Sequence, residues 1–292
     1  APAMARPSAA RFDGVIDSAL ALLAWLVALL VVGMIGWIVA DLLRQGLPRL
    51  SWAFLVELPG DAGRSGGIRP ILISTLLILG VCLAVSVPIG LATAVFLAEF
   101  QRRQHGFERL VRCSLDTLAG VPSIVFGLFG NAFFSITLGL GFSILSGGLT
   151  LACMVLPLLI RSMETALRAV PAEHRLAAAA LGLPQRVSLL HIVLPAAAPG
   201  LAVGLVLGIG RALAETAALL FTSGYVDRLP DSLLDSGRAL SVHIFDLAMN
   251  VPGGASQAAA TALVLMALVV LINGFTGWAA RRWLGSLDSA AL

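Results

Sequence analysis

Two pairs of opposite charges lie within long apolar stretches of the sequence. Glu215 follows Arg211 by four residues, and Glu164 follows Arg161 by three, so each pair shares one face of a helix. A guanidinium stays charged and binds the oxygens of an oxyanion bidentately, while a nearby carboxylate competes for the same donors and lets the anion leave. Charges inside a membrane usually face a partner or an aqueous path. We therefore interpret all four residues as candidates for a substrate path, with structural ion pairs as the alternative.

The rest of the sequence offers little for covalent or metal chemistry. All 19 basic residues are arginine, so the chain lacks the lysine that an ATPase phosphate-binding loop or a Schiff base needs. Cys82, Cys113 and Cys153 lie in or near apolar segments and are interpreted as small hydrophobic side chains. The pattern G-x-S-x-G at 63–67 lies in a glycine-rich loop without a catalytic partner. We predict no catalytic residue, no metal site and no cofactor.

Membrane-spanning helices must position these charges. Only 12% of the 292 residues are charged, whereas soluble domains carry about 25%. Mean hydropathy is +0.97. A spanning helix needs about 20 mainly apolar residues. The sequence therefore predicts an all-α, polytopic membrane protein with six transmembrane helices, at about 15–43, 69–98, 115–138, 148–169, 192–223 and 256–283. Gly120 and Pro122 leave open that the third is broken or re-entrant.

Arginine positions predict the orientation. With both termini in the cytoplasm, inner segments hold 11 arginines and outer loops hold 6, which agrees with the positive-inside rule. The predicted organisation has cytoplasmic tails at 1–14 and 284–292, a first helix at 15–43 and a periplasmic loop at 44–68. A five-helix transmembrane domain follows at 69–283.

The connection between the fourth and fifth predicted spans, residues 171–191, contains a short helix. Pro171 suits a first helical turn, the alanine run has high helix propensity, and Gly182 with Pro184 suits its end. A compact helix on the arginine-rich side is a natural docking site for a cytoplasmic partner. An ordinary connecting helix is the alternative.

This connection resembles the EAA loop of ABC importer permeases. Ala177-Ala178, Gly182 and the Ile192-Val193-Leu194-Pro195 segment match its pattern of E-A-A, three residues, G, nine residues and I-x-L-P. In that family the loop is a coupling helix seated in a groove of the cytoplasmic ATPase. Leu176 replaces the family glutamate, so Glu173, Arg175 or burial of the leucine must supply that contact. The resemblance implies ATPase coupling by Glu173, Arg175, Leu176, Ala177, Ala178 and Gly182.

Four flanking segments narrow the resemblance to PstA-type phosphate importer permeases: GGI at 66–68, GVPSIVFGLFG at 120–130, LPLLIRSMETALRAVP at 156–171 and RALAETAALLFT at 211–222. The resemblance implies a type I ABC importer permease (MetI-like) fold in the bacterial inner membrane. It also implies a PstC-type sister permease, an ATP-binding subunit dimer, a periplasmic phosphate-binding protein and inorganic phosphate as substrate. Transport roles follow for Arg161, Arg211 and Glu215. Membrane lipid surrounds the chain, and no nucleic-acid partner is expected.

Two other functions stay open at this stage. A permease of the same architecture could carry another oxyanion, sulfate or molybdate. An intramembrane enzyme using Ser65 or a histidine is the second, although the sequence shows no catalytic constellation for it.

Two further features have competing interpretations. Gly200, Gly204, Gly208 and Ala212 form a small-residue stripe at four-residue spacing, which predicts close helix packing. That packing is either at a seam between two subunits or within one subunit. The mildly acidic stretch 227–246 is interpreted as a solvated outer loop, or alternatively as a contact for a binding protein.

Overall fold

The computed structural model describes the backbone of residues 9–99 and 105–289, and the side chains of 17–18, 20–99 and 106–278. Two strands of two residues each, β1 (Pro59–Gly60) and β2 (Ser65–Gly66), pair in antiparallel register and form a small hairpin. One π-helical turn, Asn131–Thr137, follows α5, and another, Leu189–Val193, joins α8 to α9. The helices are α1 (Ala9–Gly46), α2 (Trp52–Val56), α3 (Arg69–Glu99), α4 (His105–Ala119), α5 (Ser123–Gly130), α6 (Ile144–Ala169), α7 (Ala172–Ala180), α8 (Gln185–Ser188), α9 (Leu194–Leu213), α10 (Ala217–Leu220), α11 (Leu240–Met249) and α12 (Ala255–Ser289).

The predicted all-α membrane architecture is confirmed. Five described segments are long and apolar enough to span a membrane, and α4 with α5 adds a sixth if the bent pair counts as one span. Helix α1 begins at Ala9 and α12 continues to Ser289, so both helices extend into the predicted tails 1–14 and 284–292. Residues 1–8 and 290–292 of those tails lie outside the described residues.

The third predicted span, 115–138, is not one straight helix. The chain bends by 103° between α4 and the segment that begins at Ser123. Pro122 has extended backbone angles (φ −60°, ψ 142°), and a proline also pushes the residue before it out of the helical region. The helix is therefore interrupted, as a broken or re-entrant span would be, and α4 meets α5 at an elbow formed by residues 120–122.

The fifth predicted span, 192–223, is wrong at both ends. The apolar helical segment runs from Gln185 to Leu213, through α8, the π-helical turn and α9. Beyond it, the Ser241 hydroxyl donates to the Glu215 carbonyl oxygen at 2.6 Å, and Ala218 N–H donates to the Glu215 carboxylate at 3.4 Å. Side chains that bond local backbone groups compete with helix continuation. Glu215 therefore lies just after α9 and not inside it.

The core of the bundle surrounds α6. Two-thirds of the apolar window of α6 (67%) is buried, mainly against α3, α9 and α5. Fully buried side chains such as Leu151, Leu159 and Met163 fill this core. Helix α1 packs on α12 and leaves its apolar side chains exposed, as expected for contact with lipid. We call the end of the bundle where α3 and α6 finish the α7 end, and the opposite end the α11 end.

The solvated-loop interpretation of 227–246 is wrong for residues 239–243, which are buried. Residues 233–235 cross the start of α6, where Ile144 and Leu145 N–H donate to the carbonyl oxygens of Asp235 and Leu233, both at 2.9 Å. These contacts satisfy helix-start donors that have no intrahelical partner. Helix α11 follows and buries Leu240 and Leu247.

Candidate functional site

Arg211 and Glu215 form a loose ion pair at the α11 end of α9. Nη2 of Arg211 lies 3.7 Å from Oε2 of Glu215, with 51% of the arginine side chain exposed against 7% of the glutamate. That separation is too long for a good hydrogen bond. The predicted neighbourhood is therefore present, and the guanidinium directs its donors to an accessible face.

Arg161 does not pair with Glu164 as predicted. It contacts Asp116 near the end of α4, and both side chains are exposed. Glu164 is instead buried between two other arginines, with Arg112 Nη2 at 2.5 Å and Arg168 Nε at 2.7 Å from its Oε1. A buried carboxylate needs several hydrogen-bond donors to offset the cost of its desolvation. The guanidinium groups of Arg112 and Arg168 supply them. Glu164 is thus not placed to compete for an anion held by Arg161.

The small-residue stripe packs against α6 within this subunit, which is the second of the two alternatives that the sequence left open. A Cβ on Gly200 would lie 2.6 Å from Ala166 Cβ, and one on Gly208 would lie 2.7 Å from Leu159 Cδ2. Only glycine allows α9 to approach α6 this closely. The contacts also fix an antiparallel register between the two helices.

That register places Arg161 and Arg211 at different levels along the packed pair of α6 and α9. Gly204 packs opposite Ser162, so Arg161 lies close to the level of Gly204. Arg211 is seven residues further along α9, which is about 10 Å at 1.5 Å per residue. A groove of 470 Å³ runs beside Arg161 and is lined by Leu158, Arg161, Ser162, Thr165, Ala166, Ala169, Gly200 and Val203. The two arginines are therefore too far apart to form one chelating site.

The predicted helix between the fourth and fifth spans is present as α7. Gly182 has φ +69° beyond its end, which is the left-handed conformation that ends a helix. Leu176 and Leu181 are 68% and 77% exposed, and Ala177 shares their face, whereas Ala178 is buried. Glu173 is also exposed. Helix α7 thus presents an apolar outer face whose one acidic residue lies in its first turn.

Arg175 points inward and is not available as a substitute for the family glutamate. Its Nη2 lies 2.6 Å from Oε1 of Glu99, and its Nη1 donates to the Val170 carbonyl oxygen at 2.8 Å. A side chain held by these contacts cannot also reach a partner protein without breaking them.

Charged residues also cluster at the α11 end. Arg238 Nη1 lies 3.2 Å from Asp246 Oδ2 and 3.3 Å from His243 Nδ1. The pKa of His243 is lowered to about 4, mainly by burial and in addition by the positive charge of Arg238, while Asp246 opposes the shift. Within the described ranges no group of three His, Cys, Asp or Glu side chains could hold a metal ion.

Comparison with known proteins connects this arrangement to a transport family. A family model described as "binding-protein-dependent transport system inner membrane component" matches residues 86–285. The chain belongs to this family. It is a multi-pass inner-membrane permease subunit of an ABC transporter and not an enzyme, and ATP hydrolysis belongs to a partner subunit. A substrate-binding protein is the other partner that the family implies.

Individual relatives of this permease agree with that assignment. It is 32% identical over 253 residues to "Phosphate transport system permease protein PstA 2" of Mycobacterium bovis, covering 84% of this chain and 82% of the relative. It is 29% identical over 281 residues to "Probable ABC transporter permease protein YqgI" of Bacillus subtilis, covering 91% and 92%. A crystal structure of a bacterial ABC transporter that imports the polysaccharide alginate shares the fold, with a TM-score of 0.61, 16% identity and coverage of 93% and 96%.

Three charged residues of the permease escaped prediction from the sequence. Asp116 pairs with Arg161, Arg112 binds Glu164, and Glu99 binds Arg175. All three pairs join residues more than 40 positions apart, so helical spacing gives no sign of them. Asp116 had one available signal, since a carboxylate at the start of an apolar stretch needs a partner.

Proposed function

We propose that this permease subunit forms half of the translocation path of an ATP-driven importer of inorganic phosphate. The observation that carries the proposal is the accessible Arg211, held 3.7 Å from a buried glutamate. An arginine fork matches phosphate oxygens and can bind two of them at once. The PstA name of several relatives supports phosphate in preference to other oxyanions.

The path has two stations in this proposal. Phosphate meets Arg211 near the α11 end and Arg161 about 10 Å further toward the α7 end. Each arginine has its own competing carboxylate, Glu215 for Arg211 and Asp116 for Arg161. A competing carboxylate weakens retention, so the anion can leave each station in turn. A PstC-type sister permease covers the accessible face of α6 and α9 and completes the path.

Helix α7 couples this path to the ATP-binding subunits. The termini and the α7 end face the cytoplasm, in keeping with the arginine distribution, and the α11 end faces the periplasm, where a phosphate-binding protein delivers the anion. Leu176, Ala177 and Leu181 are exposed on α7, and their burial in a groove of the ATPase removes apolar area from water. ATP-driven closure of the ATPase dimer then moves α7 and opens the path outward, and hydrolysis resets it.

Reconstitution tests the proposal. The complete complex, with its ATP-binding subunits, sister permease and binding protein, is placed in proteoliposomes, and ATP-dependent uptake of labelled phosphate is measured. The complex that carries Arg211→Gln is expected to hydrolyse ATP without transporting phosphate. Arg44→Gln, a change of an exposed arginine at the far end of α1, is the matched control and is expected to transport normally.

Three results would overturn separate parts of the proposal. Normal transport by Arg211→Gln would make its ion pair structural and leave the permease assignment standing. Uptake of sulfate or molybdate, without uptake of phosphate, would show that the proposed substrate is incorrect. ATP-independent conductance would exclude a coupled importer.

A further inference from the structure

Arg175 is the most extensively bonded side chain near the coupling helix. Its guanidinium donates to the Glu99 carboxylate at 2.6, 3.0 and 3.3 Å, to the Leu167 carbonyl oxygen at 2.8 Å and to the Val170 carbonyl oxygen at 2.8 Å. Glu99 ends α3, and Leu167 and Val170 belong to the last turn and the cap of α6. One side chain of α7 therefore holds the ends of two membrane-spanning helices.

Packing alone does not fix α7 against α3. A cavity of 430 Å³ lies between α7, α8 and the end of α3, lined by Ala98, Glu99, Arg175, Ala178, Ala179, Leu183, Gln185, Ser188 and Leu189. Helix α7 packs on α8 and on the π-helical turn Leu189–Val193. With a cavity at this interface, the polar contacts of Arg175 carry the connection between α7 and α3.

A second ionic group extends the connection to α4. Arg168 of α6 donates to the Leu97 carbonyl oxygen of α3 at 2.9 Å and to Glu164 at 2.7 Å. Glu164 in turn accepts from Arg112 of α4 at 2.5 and 3.2 Å. Charge-assisted hydrogen bonds of this kind are short, directional and stronger than neutral ones.

We infer that Arg175 and Glu99 form a mechanical link that makes α3 and α6 follow the coupling helix, and that Glu164 and Arg112 pass the motion on to α4. Helix α4 leads through the elbow at residues 120–122 into α5. A Cβ on Gly127 of α5 would lie 2.8 Å from Ala218 Cα, and Ala218 N–H contacts Glu215. A displacement of α7 thus reaches the carboxylate beside Arg211 through packed contacts. This inference rests on the proposed coupling role of α7, and it assigns positioning roles to residues that touch neither phosphate nor ATP.

The test measures transport and ATP hydrolysis in the same proteoliposomes. Glu99→Ala and Arg175→Ala are each expected to lower the number of phosphates moved per ATP hydrolysed by about tenfold, and the double variant should be no worse than either single one. Arg109→Gln, a change of an exposed arginine on α4, is the control and should keep the wild-type ratio. Glu99→Gln keeps the shape of the side chain and serves if the alanine variants fail to assemble. It should also lower the ratio, because a neutral amide binds arginine less strongly than a carboxylate does.

Each outcome has a distinct meaning. If transport and hydrolysis fall in proportion, with the ratio unchanged, the pair serves only folding and the inference is wrong. Additive effects of the two single changes would also contradict it, because a shared link can be broken only once. An unchanged ratio in Glu164→Gln would remove α4 from the link. If the wild-type complex shows no ATP-dependent phosphate uptake, the proposed function fails instead.

Discussion

At the scale of single residues, spacing indicates which charges can meet but not which partner each one takes. Arg211 and Glu215 are four positions apart and do lie together. Arg161 and Glu164 have equally suitable spacing, yet Asp116 of α4 takes Arg161, and Arg112 and Arg168 take Glu164. The choice depends on α4, whose position across the bundle comes from tertiary packing that helical periodicity does not contain. Spacing was therefore sufficient for one of the two local pairs, and it contained no information about the pairs between helices.

Leu176 gives a prediction at the same scale. Restoring a glutamate, Leu176→Glu, is expected to weaken ATPase binding by tenfold or more, because a carboxylate buried without a partner costs about 1–3 kcal/mol. The dissociation constant of the ATP-binding subunit for nanodisc-embedded permease measures this, and Leu176→Met, which conserves volume and polarity, is the control. Tighter binding by Leu176→Glu would show that the ATPase groove presents a cation here, as the family pattern implies.

At the scale of helices, the length of the apolar runs predicted most of the spans, because a membrane-spanning helix needs about 20 mainly apolar residues. The errors fall where polar groups end a helix inside an apolar run. Pro122 breaks the third span, and the hydrogen bonds around Glu215 stop α9 at Leu213. The stripe of small residues correctly predicted a close helix pair, but α6 as its partner became visible only in the folded chain. A stripe on one helix carries no information about which neighbour it contacts.

The packing of α9 on α6 gives a paired test on one helix. Gly200→Ala is expected to destabilise the permease by about 1–3 kcal/mol, because the new methyl would meet Ala166 Cβ at 2.6 Å and force the helices apart. Gly210→Ala has nothing within 4 Å and should be neutral or slightly stabilising, since alanine favours helix more than glycine does. Melting temperatures of both variants in detergent measure the difference. Equal melting temperatures would mean that α9 can shift away from α6 at little cost.

At the scale of the whole molecule, the two ends of the bundle are held in different ways. Arginine–carboxylate contacts join helix ends at the α7 end, where the proposed coupling would pass motion between helices. At the α11 end, residues 223–239 lie over the start of α6, and a buried histidine fixes α11 against the hairpin region. A Cβ on Gly63 would lie 3.0 Å from His243 Cε1. Because the contact between Gly63 and His243 joins residues 180 positions apart, no short sequence window could reveal it.

His243 makes the stability of the α11 end depend on pH. Its pKa of about 4 in the folded protein lies below its ordinary value of 6.5, because burial disfavours the imidazolium and Arg238 repels it. The unfolded chain therefore takes up a proton below pH 6.5 that the folded chain refuses until about pH 4. The contribution of neutral, buried His243 to the free energy of unfolding is fully present above pH 6.5. It is lost as the pH falls toward 4, by an amount on the order of 3 kcal/mol.

Melting temperatures of the detergent-solubilised permease at pH 7.5 and pH 5 should show this loss of stability, and His243→Gln should reduce the difference between them. The exposed His191→Gln is the control and should keep the wild-type difference, whereas an equal pH response in wild type and His243→Gln would assign the acid sensitivity to other groups.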